Sequence, residues 1–284
     1  MGDRDLSNVF HTDVNSRWTV IVRRVTNGQS AEVGDRRSGA DALKGLRRSW
    51  WFCGLEGLRP VHGYVTYDEF DLDAQPDVGR PDESLSWLET QPEHARWNVY
   101  DSDAIPQRRV TTAALSELVP SHIALPTALN EFAARPELQR RIRSATGCYL
   151  DLGDFLARTD HEGGHLLHLV SDQQWIRHWL VYLEEDGNES VVTTSEPVGF
   201  ELPEDEEWEP LPPETIPLDG TFDVQVCADS VAEFLFRFWV ENELYFTKGS
   251  RKSPAEVKAY AAELAAMRES NDRASRQRRA TDDA

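Results

Sequence analysis

A chain of 284 residues, 39% of them apolar, is long enough to bury a cooperative core without cross-links. Its 50 acidic residues against 30 basic ones give a formal net charge of −20, a field that repels nucleic-acid phosphates and attracts basic partners, so nucleic-acid binding is not expected. Cys53, Cys148 and Cys227 are far apart, odd in number and form no C-x-x-C pair, which excludes a zinc knuckle or a disulfide framework as a reading.

No apolar run is long enough for a signal peptide or a membrane span, and with the cysteine pattern this predicts a cytoplasmic protein in a reducing compartment with no membrane partner. Only Lys44, Lys248, Lys252 and Lys258 are lysines, an arginine bias of the kind found in GC-rich bacterial coding sequence. The first 16 residues are polar and predict a flexible N-terminus. Trp18-Thr19-Val20-Ile21-Val22 reads as the first strand, and apolar spacing over residues 40 to 52 predicts a short helix. Val61-His62-Gly63-Tyr64-Val65-Thr66-Tyr67 alternates like a strand, and residues 68 to 81, broken by Pro76, Gly79 and Pro81, read as an acidic loop. Together these make residues 17–110 a small N-terminal α/β region of no recognisable type, with a boundary near residues 101 to 110.

Beyond Pro106 the signals sharpen. Thr111 or Thr112 caps a helix through Val119, Pro126 opens another to about Phe132, and Pro136 starts a third. Three strands follow, at residues 165 to 170, 174 to 183 and 190 to 194, the last two joined through Asp186-Gly187, a step that supplies the positive φ of a hairpin turn. Residues 201 to 219 hold too many prolines and like charges for a helix or an internal strand. Ser230-Val231-Ala232-Glu233 is a capping box ahead of a helix apolar on most of its circumference, which should be the buried centre of this half. A second box, Ser253-Pro254-Ala255-Glu256, opens an Ala-rich helix to about Ser270, and residues 271–284 read as a disordered tail. The fold class is α+β, an antiparallel or mixed sheet meander packed with helices, in a domain spanning 111–270.

His161-Glu162-Gly163-Gly164-His165 matches the letters of a zinc-protease H-E-x-x-H motif. That chemistry needs both histidines one turn apart on a helix, whereas Gly163-Gly164 is a poor helix interior and the following residues read as a strand, where positions four apart are about 13 Å apart. A Gly-Gly turn entering a strand is the better reading, and no metal or cofactor is expected. His168 and His178, in neighbouring strands, can approach each other but have no carboxylate or cysteine placed beside them by the sequence. Asp68, Glu69, Asp71, Asp73 and Asp77 lack the glycine of a calcium loop, Pro76 standing in its place, and read as solvated acid. Phosphate-loop, dinucleotide and serine-hydrolase motifs do not occur, although scattered Ser, His and Asp residues could still meet in space. Trp175, Trp179, Phe234, Phe238 and Trp239 read as core. Trp208, ringed by Glu204, Asp205, Glu206, Glu207 and Glu209, reads either as an anchor for a basic, partly apolar partner surface or as a loop tryptophan tucked back on its own domain.

Leu115-Ser116-Glu117-Leu118, then Leu125-Pro126-Thr127-Ala128-Leu129-Asn130-Glu131-Phe132, then the strand meander and Asp229-Ser230-Val231-Ala232-Glu233-Phe234-Leu235 follow in the order of the SUKH superfamily. Residues 112 to 246 thus resemble that group of cell-wall-synthesis regulators and toxin-immunity proteins. Arg135-Pro136-Glu137-Leu138 stands where the group usually has Asn-Gly, and the acidic loop before the last helix is an addition. The resemblance implies a non-enzymatic α+β binding module, of immunity type, that meets a protein partner with a basic surface such as a nuclease toxin. Two other classes compete: a metal-dependent hydrolase built on His161, Glu162, His165 and His168, and a structural subunit of a larger assembly in which the aromatic helix over residues 230 to 246 is an interface.

Overall fold

The computed structural model describes residues 43–55, 57–59, 66–95, 112–152, 156–161, 164–196, 215–218, 222–247, 250 and 252–282. All belong to a unit running from Arg36 to Ala284. The helix expected over residues 40 to 52 is replaced by a turn at residues 43 to 46 and a strand, β1 (Ser49–Phe52). Gly45, at φ 96°, ends any helical path there, and the aromatic run suits a pleat. Trp50 and Phe52 enter the core, while Trp51 carries the Arg177 guanidinium on its ring at 3.8 Å. The partner strand β2 (Asp68–Asp71) lies in what read as acidic loop, pairing antiparallel from Ser49 opposite Asp71 to Phe52 opposite Asp68. Its charges are answered across the ladder: Glu69 accepts from Arg47 at 2.8 Å and from the Ser49 hydroxyl at 2.7 Å. Trp18 to Val22 and residues 61 to 65 lie outside the described residues.

A turn at Leu72–Ala74 and the short helix α1 (Ser86–Glu89) lead on to α2 (Thr112–Leu118), α3 (Thr127–Ala134) and α4 (Pro136–Gln139), the last three where the sequence put them. Among the described residues the main sheet holds seven strands: β3 (Tyr149–Leu150), β4 (Leu156–Thr159), β5 (His165–Ser171), β6 (His178–Leu183), β7 (Glu189–Thr194), β8 (Thr215–Ile216) and β9 (Gln225–Ala228). Their order is β8-β4-β5-β6-β7-β9, with β3 also pairing β5, and all neighbours are antiparallel except β4 and β8. The expected meander is its centre. The β6–β7 turn is built as the Asp-Gly step requires, with Gly187 at φ 86° donating to the Glu184 carbonyl and Asp186 accepting from the Asn188 amide. Residues 174 to 177, expected in strand, turn instead, because the Asp172 carboxylate accepts from the Gln174 amide and Trp175 takes φ 59°.

One face of the sheet, through Leu167, Val170, Trp179, Val181, Leu183 and Val191, packs against β1, the helices α2 to α4, α5 (Val231–Thr247) and α6 (Ala255–Asp282). Trp50, Phe52, Leu72 and Leu88 share that core with Leu115, Phe132 and Phe234, so described residues on both sides of the boundary expected near residues 101 to 110 belong to one unit. The opposite face carries a smaller cluster, Leu166, Leu180, Tyr182, Val192 and Ile216. At α5 the capping box forms: Ser230 accepts from the Glu233 amide at 3.1 Å and Glu233 accepts from the Asp229 amide at 3.0 Å. At α6 it does not, since the Ser253 hydroxyl donates back to the carbonyls of Thr247 and Ser250. Nor does α6 stop near Ser270; it continues as helix to Asp282 where a disordered tail was expected. That stretch has little to bury, but its arginines, alanines and glutamine are good helix formers. No helix among the described residues is long and apolar enough to cross a membrane.

Candidate functional site

A hollow of about 860 Å³ lies where four segments converge: residues 72 to 83, the start of α3, the β6–β7 turn and the start of α5. Leu125-Pro126-Thr127 and Asp229-Ser230 with Glu233, from the second and the last of the motifs read from the sequence, line it together. Six carboxylates face it, those of Asp73, Asp77, Glu83, Glu189, Asp229 and Glu233, against the three guanidinium groups of Arg48, Arg80 and Arg237. Two of those arginines are already engaged. Arg48 forks between Asp73 at 2.9 Å and Asp229 at 2.8 and 3.2 Å, an arrangement that raises its pKa further. Arg237 holds the Pro76 carbonyl at 3.0 Å and Glu233 at 3.4 Å. Among the described residues no basic side chain lies within ion-pair distance of Asp77, Glu83 or Glu189.

Glu189 is the most informative of the three. It begins β7, so the pleat holds it at the end of the β6–β7 turn, where its carboxylate interacts with the Val231 amide at the start of α5. Its Oε2 is buried and has no hydrogen-bond partner among the described residues. Burial, reinforced by the nearby charge of Glu83, pushes the Glu189 carboxyl up to about 7. A buried carboxylate oxygen without a donor, in a cleft rich in negative charge, is an acceptor set for a cation. A smaller hollow of about 460 Å³, lined by Leu43, Leu46, Tyr182 and Val226, adjoins it across Glu189 and Asp229.

A second polar cluster sits inside the protein, on the sheet face away from the helices. Asp151 accepts from the Ser171 hydroxyl at 2.6 Å and pairs with His168 Nδ1 at 3.0 Å, and Ser171 Oγ lies 3.0 Å from His178 Nδ1. The two imidazoles stack with centroids 5.8 Å apart, so the approach expected of His168 and His178 is present, with a carboxylate the sequence did not place. Ser, His and Asp do meet here, yet not as a nucleophile with its base. The serine proton is committed to Asp151, which leaves His178 Nδ1 as donor to Ser171 rather than acceptor from it. Ser171 and His178 are also both fully buried. Beside them the Tyr67 hydroxyl donates to Asp172 at 2.8 Å and contacts Cys148 Sγ at 3.2 Å.

Burial, helped by the charge of His168, lowers His178 to about 4 from an ordinary 6.5. An imidazole held neutral by the fold contributes stability above pH 6.5 that is lost as pH falls toward 4. A displacement of that size is worth about 3 kcal/mol. Denaturation at pH 7 and pH 4.5 should therefore show a smaller acid-induced loss for His178→Asn than for the parent chain; parallel losses would rule the assignment out.

Among the described residues His161, His165 and His168 are not brought together as ligands of one metal ion. His165 pairs with Leu183 on the helix-facing side of β5, whereas His168 pairs with Leu180 on the other. His161 Nε2 is 4.0 Å from Glu184 and His168 is held by Asp151. Among the described residues no group of three or more His, Cys, Asp or Glu side chains is arranged to hold a metal ion. Gly164 has a packing reason: a Cβ there would stand 2.8 Å from the Tyr182 hydroxyl oxygen. Glu162 and the predicted partner-binding residues Glu204, Asp205, Glu206, Glu207, Trp208 and Glu209 lie outside the described residues. The cleft itself escaped the sequence reading, which took Asp73 and Asp77 as solvated acid. Glu83 and Glu189 carry no local signal, because only the tertiary path brings them to two helix starts. Comparison with family models, with curated proteins and with solved structures found no match to this chain.

Proposed function

We propose that this is an acidic, cytoplasmic, non-enzymatic protein-binding module of immunity type, and that the cleft between α3 and α5 receives a basic segment of its partner, a toxin-like protein. The observation that carries the reading is the set of unpaired carboxylates there, Glu189 with its donorless oxygen above all. An arginine or lysine from a partner supplies the missing donors, and the field of the −20 chain raises the rate of encounter. The SUKH-like motifs support it, because residues of two of them, Leu125-Pro126-Thr127 and Asp229-Ser230 with Glu233, line the same cleft. Free thiols at Cys53, Cys148 and Cys227 suit a reducing compartment. The Glu204 to Glu209 segment with Trp208 is proposed as a second contact on the same partner, its carboxylates steering association and its indole slowing dissociation.

Calorimetric titration with an oligo-arginine peptide tests the cleft. Binding should weaken about tenfold or more in an Asp77→Asn, Glu83→Gln variant and should fall with salt. It should also strengthen from pH 5 to pH 8 as Glu189 ionises, with that pH dependence flattened in Glu189→Gln. Equal affinity in parent and cleft variants would remove the proposal.

A further inference from the structure

The hollow of about 460 Å³ beside the cleft has a different lining, and the path of the chain explains it. The turn at residues 43 to 46 closes through the Leu46 amide on the Leu43 carbonyl at 3.2 Å, and the Arg47 carbonyl fixes it to the sheet edge by accepting from the Val226 amide at 2.8 Å. Leu43 and Leu46 are thereby held half-buried against the smaller apolar cluster, with Tyr182 and Val226 as the buried wall. The polar groups at the Tyr182 end are engaged with one another. The Tyr182 hydroxyl donates to one oxygen of Glu184 at 2.6 Å and Asn188 Nδ2 to the other at 3.3 Å, so Glu184 already has its donors. Charge is nearly balanced, Lys44 and Arg48 standing against Glu184, Glu189 and Asp229, whereas the cleft sets six carboxylates against three guanidinium groups. The two hollows share Arg48, Asn188, Glu189 and Asp229 as a common wall, across which Arg48 is paired with Asp229 at 2.8 Å. A ligand that crosses this wall passes from acidic to apolar surroundings.

We propose that the partner segment carries a large apolar residue close beside its arginine or lysine, and that the hollow walled by Leu43, Leu46, Tyr182 and Val226 receives that apolar side chain while the cleft receives the basic one. A hollow of this size lies in the ordinary range of ligand pockets and has room for a leucine or phenylalanine side chain. A second basic residue is the poorer occupant, because Lys44 and Arg48 line the hollow and Glu184 is already answered. The inference rests on the cleft being a cation-binding surface, as proposed above. It adds what charge alone does not supply: carboxylates attract any basic chain, whereas an adjoining apolar hollow selects among basic chains by the residue next to the cation.

Calorimetric titration of the full chain tests it, with hexa-arginine and with hexa-arginine carrying leucine at each position in turn. Each leucine removes a charge, so a purely electrostatic surface binds every substituted peptide more weakly than hexa-arginine. At least one should instead bind about tenfold or more tightly, the gain expected for burying a leucine side chain. That peptide should also show a weaker salt dependence and a more negative heat-capacity change of binding. Leu46→Ser, which removes part of the apolar wall, and Ser190→Tyr, which fills the hollow, should each abolish the advantage of leucine. Neither residue lines the cleft, so binding of hexa-arginine itself should stay as in the parent, which also shows that the variants are folded. No gain from leucine at any position, or a gain that persists in both variants, overturns the proposal. So does self-association of the parent that Leu46→Ser abolishes, which would assign the hollow to a second copy. The two readings fail separately. If hexa-arginine binds through Asp77 and Glu83 but leucine adds nothing, only the inference falls; if hexa-arginine binds the parent and the cleft variants alike, or not at all, the functional reading falls with it.

Discussion

Replacing Glu241 by alanine should cost about 3 to 5 kcal/mol, the loss expected when one partner of a buried ion pair is removed and the other stays behind. Glu241 is fully buried and receives four donors: Arg59 Nη1 and Nη2, each at 2.6 Å, Trp50 Nε1 at 2.7 Å and the Tyr260 hydroxyl at 2.5 Å. Burial, the largest single influence, lowers the pKa of Arg59, but the charge and hydrogen bonds of Glu241 together with Tyr260 outweigh it and the pKa is raised, so the guanidinium is fixed in its charged form. Burial and the same carboxylate hold the Tyr260 hydroxyl far above its ordinary value, keeping it a donor. Without Glu241 a charged arginine, an indole N–H and a phenol lose their acceptor together. Because they come from β1, the loop after it, and α6, the junction of all three with α5 should loosen. Chemical denaturation of Glu241→Ala measures the effect, and a change below about 1 kcal/mol would show that Arg59 finds water instead. An Arg59→Met, Glu241→Leu double variant should cost much less than the two single changes combined, because it removes the stranded charge as well as the pair.

That junction also marks where sequence reading runs out. The α5 segment was legible as a capped, mostly apolar helix, because a capping box and apolar spacing are local signals. Its Glu241-Asn242-Glu243 run looks like the polar stripe of a surface helix, yet all three are buried. Asn242 accepts from the Ala145 amide, and Glu243 from the Arg143 fork at 2.7 and 2.9 Å. Those partners lie about a hundred positions away or more in sequence, and no periodicity carries them. The meander was legible for the opposite reason, since β6 and β7 meet through a short turn whose Asp-Gly step fixes it. The β1 segment was misread because a run as short as residues 40 to 52 satisfies a helical spacing as readily as a pleat. Its partner β2 is acidic and becomes a strand only once Arg47 and Ser49 stand opposite. The candidate cleft was half legible: its two helix starts were singled out, but as fold markers, while Glu83 and Glu189 reach it by tertiary paths.

Phe238→Ala should also cost about 3 to 5 kcal/mol, and it decides between α5 as core and α5 as an assembly interface. Phe238 is 2% exposed, stacked on Phe234 with centroids 5.6 Å apart and set edge-on to Trp179 at 6.2 Å. Phe234 in turn meets Trp50 at 5.9 Å, so the rings tie helix, hairpin and sheet into one aromatic contact chain. Truncation removes a ring whose neighbours are held by those same contacts, and surroundings that cannot collapse leave a cavity that adds to the transfer cost. Tyr245, on the same helix but 47% exposed, is the control: Tyr245→Ala should change stability by no more than about 0.5 kcal/mol. Equilibrium denaturation of both variants, with molar mass measured alongside, separates the cases. A core helix gives a large loss for Phe238→Ala at unchanged mass. An interface helix would give a loss below about 1 kcal/mol in the monomer and a change in assembly state, and that outcome would require the Phe234–Phe238–Trp179 stack to be a surface feature of the isolated chain.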